Sequence, residues 1–304
     1  MEINETAIGE LTTLRDLMRW AASRFAEAGI ACGHGMANEL DEAVYLVLHA
    51  LYLPPDLDPA WFDARLTAAE RTEALTLIAR RIDERRPAAY LTHEAWFCGL
   101  PFYVDERVLV PRSPIAELIE AAFEPWIDPA RVTRVLDVGT GSGCIGIACA
   151  YAFPGIEVDL VDISPEALEV AQINVERHDL KDRVHTVLSD GLSAIGDETY
   201  DIIVSNPPYV DAEDMSGLAP EFRCEPELGL AAGEEGLDVV VPLVEQAVAH
   251  LNPGGILVVE VGNSAAALER RLDGWPLTWV EFERGGGGVF LLTREQIETA
   301  MGHA

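Results

Sequence analysis

Lysine is nearly missing from this chain. Lys181 is the single one, and lysine plus arginine total 21 against 52 acids, a net charge of −31. The deficit is uneven: residues 1–110 carry 10 bases and 18 acids (−8), residues 111–304 carry 11 and 34 (−23). A field of this sign repels nucleic acid and attracts basic partners. Biased genome composition or a salty habitat would leave the same mark. The five cysteines (Cys32, Cys98, Cys144, Cys149, Cys224) are odd in number and form no CxxC pair, which argues against a disulfide framework or a structural zinc site. The N-terminus lacks a basic-then-apolar leader, and no apolar run approaches the roughly 18–20 residues that cross a membrane. A soluble cytoplasmic protein with no membrane partner is the expectation. With 49% hydrophobic residues over 304 positions, there is enough for a sizeable core, most simply in two domains.

What is present divides into three stretches: a helical domain at 1–91, a β-hairpin linker at 92–110 and an alternating domain at 111–304. In the first, Leu11, Leu14, Met18, Ala21 and Phe25 recur at helical spacing, and Leu40, Val44, Val47, Leu48 and Leu51 form a second stripe. Thr67 and Glu70 have the spacing of a capping box before a third helix carrying Leu75, Ile78 and Ile82, which Pro87 stops. Arg80, Arg81, Arg85 and Arg86 on that helix predict a solvated face in preference to a binding patch. Short runs around Gly99-Leu100-Pro101 predict the hairpin. Ser113 and Pro114 then look like the N-cap and first turn of a helix.

From there strands and helices alternate. Strands are expected at 134–138, 157–161, 184–188, 200–205, 256–261, 277–282 and 289–293, with helices from Cys144, Pro165 and Pro242. The run Gly285–Gly288 is most simply a hairpin turn, and Asn252-Pro253-Gly254-Gly255 another turn. Such alternation means a doubly wound α/β fold, with ligands at the carboxyl ends of its strands.

Two loops carry the candidate chemistry. Asp137-Val138-Gly139-Thr140-Gly141-Ser142-Gly143 follows a strand and opens a helix, so glycine backbone can approach a ligand closely. Asp137 stands where the cationic end of a ligand could sit. Asp162 ends the next strand, positioned to accept from ribose hydroxyls or to cap the following helix, and Asp190 ends the third, suited to an adenine amino group or simply a loop residue. Gly141 to Gly146 also satisfies the dinucleotide pattern GxGxxG, so a nicotinamide oxidoreductase competes, although the lone lysine removes the Tyr-x-x-x-Lys pair of one large dehydrogenase class. The second loop is Asn206-Pro207-Pro208-Tyr209, at the end of the apolar strand Tyr200–Ser205. Its prolines make a rigid extended corner, and Asn206 offers two donors and one acceptor in a plane, a match for another planar amide or amino group.

In this order, these motifs resemble class I S-adenosylmethionine-dependent methyltransferases, which have a Rossmann-like, seven-stranded, mostly parallel sheet. The Asn-Pro-Pro-Tyr form is similar to that of enzymes methylating planar exocyclic nitrogens. The helical N-terminal domain, the hairpin and Glu260-Val261-Gly262 look like the protein glutamine methyltransferase (HemK-like) family over essentially the whole chain. Within it, Val108–Ile119 and Val210–Met215 are similar to the branch acting on large-subunit ribosomal protein L three (the PrmB type), and Ser113–Glu117 departs from the Pro-Arg-x-Asp-Thr-Glu of the release-factor branch. Gly191 stands where an aromatic residue often follows the third-strand acid, so adenine packing is expected from elsewhere, with Leu192 the nearest candidate.

The resemblance implies S-adenosylmethionine as cofactor, held by Asp137, Gly139, Thr140, Gly141, Gly143, Asp162, Asp190 and Asn206. It implies Asn206, Pro207, Pro208 and Tyr209 as the catalytic corner: the Asn206 side-chain oxygen and the Pro207 carbonyl accept the glutamine amide hydrogens, and Tyr209 packs on the amide plane. The partner would be a basic ribosomal protein, met before or during ribosome assembly, without direct nucleic-acid readout. No metal and no acid/base histidine is needed; His178 and His185 read as structural or exposed. Nine acids and one base between Asp211 and Asp238 suggest a loop that steers such a substrate, or one that is merely solvated. A release-factor methyltransferase, a DNA adenine methyltransferase lacking a basic recognition region, and a non-catalytic assembly factor are the other readings of the same residues.

Overall fold

The computed structural model describes residues 9–302; the start of the chain, read above for a leader, lies partly outside them. Two compact units are present. One holds the chain up to Glu94 together with Leu218–Cys224, and the other holds Ala95–Gly217 and the chain from Glu225 onward.

In the first unit, the helices Leu14–Ala28, Glu39–Ala50, Ala68–Glu84 and Ala88–Thr92 pack around Leu17, Phe25, Leu46, Val47, Leu75 and Ile78. Thr13 with Asp16, and Thr67 with Glu70, close reciprocal capping boxes at two helix starts. The second stripe is rotated from its expected position. Asn38 caps the helix through the Leu40 and Asp41 amides, which leaves Leu40 in the outer first turn at 53% exposure, while Ala43, Leu46, Val47 and Ala50 face inward. The arginine row is corrected as well. Arg80 is solvated and pairs with Glu84, but Arg81 is fully buried. Its Nε donates to Glu42, Nη2 donates to the Ala31 carbonyl (3.1 Å), and Nη1 lies 3.4 Å from Glu221 Oε1. Arg81 falls one turn after Ile78 on the core face, and both carboxylates that admit it come from distant segments.

In the second unit, β1 (Ala95–Phe97) and β2 (Leu100–Phe102) form the hairpin. Cys98 and Gly99 both have positive φ (49° and 72°), the two-residue turn whose twist matches its strands. The main sheet runs β5 (Val184–Leu188), β4 (Glu157–Asp162), β3 (Arg134–Val138), β6 (Tyr200–Ser205), β7 (Leu251–Glu260), β9 (Val289–Thr293), β8 (Thr278–Trp279). β5 through β7 are parallel, and β9 and β8 add antiparallel. Both faces are covered. Val135, Ile202 and Val258 enter one core cluster, and their neighbours Leu136, Ile203 and Leu257 enter the other. That is why the strands read as unbroken apolar runs rather than alternating ones.

Three local expectations change. The turn at Asn252–Gly255 is absorbed into β7 as a bulge, where pairing jumps from Tyr200–Leu251 to Ile202–Ile256. The strand expected at 277–282 shrinks to Thr278–Trp279, and the four glycines lie in the connection from β8 to β9. The helix after Ser113 begins at Ile115, with Pro114 at its flank, so Ser113 sits one residue too early to cap it conventionally. The helices Ala212–Gly217, Ala265–Arg271 and Arg294–Gly302 carry no strong periodic signal and were not anticipated.

The order matters most between β3 and β6. β4 and β5 are laid to one side of β3, β6 and β7 to the other, so the chain reverses direction of growth there. Loops leaving these two strands diverge around a crevice at their carboxyl ends. Val138 pairs with Ser205 at that edge, and the Ser205 hydroxyl donates to the Val138 carbonyl at 2.6 Å.

Candidate active site

The crevice is a cavity of about 260 Å³ in the second unit. Gly139, Thr140, Gly141, Asp162, Asp190 and the whole corner Asn206–Tyr209 line it, so the structure brings these expected residues together. Two expected residues are absent from the lining. Gly143 (φ 81°) precedes the helix Cys144–Ala152, and a Cβ there would lie 3.2 Å from Leu160 Cδ1, so it serves helix–sheet packing. Gly146 does the same more severely, with a Cβ position 2.2 Å from Leu160 Cδ2. The dinucleotide-like spacing thus has a packing origin.

Asp137 is the second. It is fully buried, and its Oδ2 accepts from the Thr140 hydroxyl (2.6 Å) and the Gly146 amide (2.9 Å). It therefore braces the glycine loop from within instead of lining the cavity. Its other oxygen, Oδ1, is buried without a protein partner among the described residues. Burial, opposed by those hydrogen bonds, lifts its pKa to about 6.

Asp162 Oδ2 accepts from the Gly141 amide and Oδ1 from the Ser164 amide, both at 2.9 Å. These bonds fix the turns on either side of it, while the helix from Pro165 is capped by Ser164 rather than by Asp162; each carboxylate oxygen keeps a further lone pair toward the cavity it lines. Burial raises its pKa. Asp190 is exposed on the cavity wall beside Gly191. Leu192, the candidate base-packing residue, is instead buried in the core, and the apolar side chain on the wall is Ile163, 49% exposed next to Asp162. In the sequence the signal for Ile163 is only its place directly after the second-strand acid; its exposure is visible in the structure alone. Glycine backbone, two carboxylates and an exposed apolar side chain on the cavity wall fit a nucleoside ligand.

Opposite the glycine loop stands the corner. A Cβ on Gly139 (φ 71°) would lie 3.8 Å from Pro207 Cα, so the two loops nearly touch. Among the described residues, the Asn206 side chain makes no hydrogen bond to protein, and it lines the cavity. Tyr209 is the opposite case: its hydroxyl donates to Glu260 Oε1 (2.9 Å), and its carbonyl accepts from the Ser264 hydroxyl (2.9 Å). Burial and the neighbouring Glu260 hold its phenol well above the usual range. Arg112, on the same wall, grips Glu225 with two bonds of 2.6 and 2.7 Å. Glu225, Glu260 and Ser264 come from distant segments; Glu260 stands in the Glu260-Val261-Gly262 motif without being marked there as a site residue, and Glu225 and Ser264 carry no local motif.

A family model, the Methyltransferase small domain, matches residues 122–223. A ribosomal protein uL3 glutamine methyltransferase of Neisseria gonorrhoeae is 50% identical over 295 residues, covering 96% of this chain and 97% of its own. That of Neisseria meningitidis serogroup A is 50% identical over the same length, covering 96% of each. Among solved structures, the hMettl16 catalytic domain in complex with MAT2A 3′UTR hairpin 6 aligns at 20% identity and TM-score 0.49, over 74% of this chain and 80% of that one. The parallel sheet with its switch point between β3 and β6 is the class I methyltransferase fold, and half of the 295 aligned residues are identical in the Neisseria proteins; the chain belongs to the ribosomal protein uL3 glutamine methyltransferase family.

Proposed function

We propose that this protein methylates the side-chain amide nitrogen of a glutamine in ribosomal protein uL3, using S-adenosylmethionine. The observation that carries the reading is the Asn206 carboxamide, without a hydrogen-bond partner among the described residues, on the wall of a cavity that the glycine loop also lines. When bound, the cofactor supplies a methyl group already activated by its sulfonium. The difficulty lies with the amide nitrogen, whose lone pair is delocalised into its carbonyl. Asn206 Oδ1 and the Pro207 carbonyl accept the two amide hydrogens, which aims the nitrogen and favours the positive charge that develops on it. Glycine backbone and the carboxylates of Asp162 and Asp190 hold the nucleoside, Ile163 packs on its base, and the Tyr209 ring flanks the amide. No proton-transferring dyad is required before the bond forms: the electron pair of the broken S–CH3 bond departs with the thioether product, and the methylated nitrogen then gives up one of its two amide protons to solvent.

The substrate follows from the names of the Neisseria relatives and is consistent with the acidic exterior. The helical unit is the part we assign to recognition of the protein substrate, in the cytoplasm, before or during ribosome assembly. The test is methylation of purified uL3 and of a release factor by the purified protein with labelled cofactor, read by mass spectrometry. One methyl group on a uL3 glutamine is expected. Labelling of the release factor alone moves the substrate, and labelling of neither overturns the proposal.

A further inference from the structure

The catalytic corner is held at both of its ends, and the second hold is not written in the Asn-Pro-Pro-Tyr motif. At the first end, Ser205 is tied to β3 through its hydroxyl on the Val138 carbonyl. Between the ends, Pro207 and Pro208 fix two φ angles. At the other end, Tyr209 is gripped by the tip of β7. Glu260, the last residue of that strand, is 5% exposed; its Oε1 accepts the Tyr209 hydroxyl (2.9 Å) and its Oε2 accepts the Ser113 hydroxyl (2.6 Å). Two residues on, Gly262 gives the ring its seat: a Cβ there would stand 2.5 Å from Tyr209 Cε2. Gly236 leaves equal room for the backbone, since a Cβ on it would stand 2.2 Å from the Tyr209 carbonyl oxygen.

We propose that Glu260 is a positioning residue for methyl transfer, a buried acceptor that locks the Tyr209 phenol to the Ser113 hydroxyl and so keeps Asn206 aimed. The inference rests on the glutamine methyltransferase reading above. Its logic is that, among the described residues, the Asn206 side chain has no hydrogen-bond partner to orient it, so its aim depends on how firmly both ends of a stiff four-residue corner are anchored. A carboxylate is the group suited to the anchor, because it accepts from two hydroxyls at once. Ser113 serves it further by accepting the Ile115 amide at 3.2 Å, which directs its own proton toward Glu260. The residue that stands one place too early to cap its helix is thereby given a different task. Glutamine at 260 offers only one oxygen, so one of the two hydroxyls must turn round or lose its bond.

The experiment compares wild type, Glu260→Gln, Tyr209→Phe and the double variant, with uL3 as substrate and S-adenosylhomocysteine as the binding probe. In Glu260→Gln we expect kcat to fall about 10- to 100-fold, with affinity for the probe changed less than about twofold and the melting temperature nearly unmoved. The double variant should be no worse than the poorer single one, because both remove the same tie. Independent of activity, tyrosine-labelled protein is followed by NMR, the Tyr209 ring signal being the one missing from Tyr209→Phe. That signal should shift in Glu260→Gln. An unmoved Tyr209 signal, an unchanged kcat, or losses that multiply in the double variant would each overturn the positioning role. Wild-type protein inactive on uL3, with the Tyr209 signal shifted as expected, would instead count against the functional reading and leave the anchor standing.

Discussion

Asn206 and Asp137 are opposite kinds of polar residue, and each makes a prediction. Asn206 is free to hold a substrate, so Asn206→Ala should lower kcat by about 100-fold or more, the scale of losing one preorganised polar contact to a developing charge. Affinity for S-adenosylhomocysteine should change little, and isothermal titration beside rate measurements separates the two. Equal losses in both would make Asn206 a ligand-holding residue only. Asp137 is instead occupied with its own loop, and its effect appears in stability. Its carboxyl titrates near 6 when folded against about 3.9 when unfolded. Between those values the folded chain keeps a proton that the unfolded chain has released, so this group's contribution to stability falls as pH rises from about 4 to about 6 and is flat above. Asp137→Asn cannot titrate, and its oxygen can accept both the Thr140 hydroxyl and the Gly146 amide. Relative to wild type, the variant should therefore gain stability across that window, by at most about 1.4 kcal/mol per pH unit. Denaturant unfolding of both proteins at several pH values measures it, and a difference that does not vary with pH contradicts the assignment.

At the scale of elements, the glycine loop and its helix show how one packing contact sets a site. Gly146→Ala puts a methyl group where Leu160 Cδ2 already lies, 2.2 Å from the Cβ position, and near Asp137. Overpacking of this kind costs about 1–3 kcal/mol. A lowered melting temperature is expected, with weaker binding of S-adenosylhomocysteine as the braced loop shifts; an unaltered melting temperature would mean that the helix slides without resistance. The strands that carry the site were legible because each reads as a short run rich in β-branched residues, whether inside the sheet (β3, β4, β6) or at its edge (β5): all four fall within a residue of their expected bounds. Residues at the ends of those strands (Asp162, Asp190, Asn206) were legible for the same reason, since a polar residue ending a buried strand must face the crevice. What stayed hidden is interaction between distant segments. Nothing near Arg81 announces that Glu42 and Glu221 will bury it, and nothing near Ser113 announces Glu260. Sequence locates the Asp137 carboxylate but not the direction of its side chain, which turns into the glycine loop where the motif alone predicts a ligand-facing position.

Across the whole molecule, charge is divided between an interior and an exterior role. After Gly217 the chain leaves the catalytic unit, enters the helical one as Leu218–Cys224, and returns at Glu225. Glu221, fully buried in that excursion, has Oε1 2.8 Å from Arg85 Nε and 3.4 Å from Arg81 Nη1. Removing it takes one of the two carboxylates beside Arg81, Glu42 remaining, and the one beside the partly exposed Arg85, so the loss stays below the roughly 3–5 kcal/mol of an uncompensated buried charge. Glu221→Ala should therefore loosen the helical unit, read as faster amide exchange in Leu14–Ala28 and Ala68–Glu84, while the sheet strands keep their protection. Glu225 is likewise consumed by Arg112. The exterior field of this segment thus rests on fewer carboxylates than its composition suggests, among them the exposed Asp214, Glu227, Glu234, Glu235 and Asp238. If these steer a basic protein substrate, kcat/KM for uL3 should fall as salt rises, because the screening length shrinks from about 30 Å at 0.01 M to about 10 Å at 0.1 M. Affinity for the small cofactor product should stay nearly level. Glu234→Gln with Glu235→Gln should flatten the salt dependence without altering kcat at saturating substrate, since neither side chain lines the cavity. A wild-type kcat/KM that is constant from low to high ionic strength would reduce the exterior carboxylates to a solvated surface and leave recognition to contacts made after the encounter.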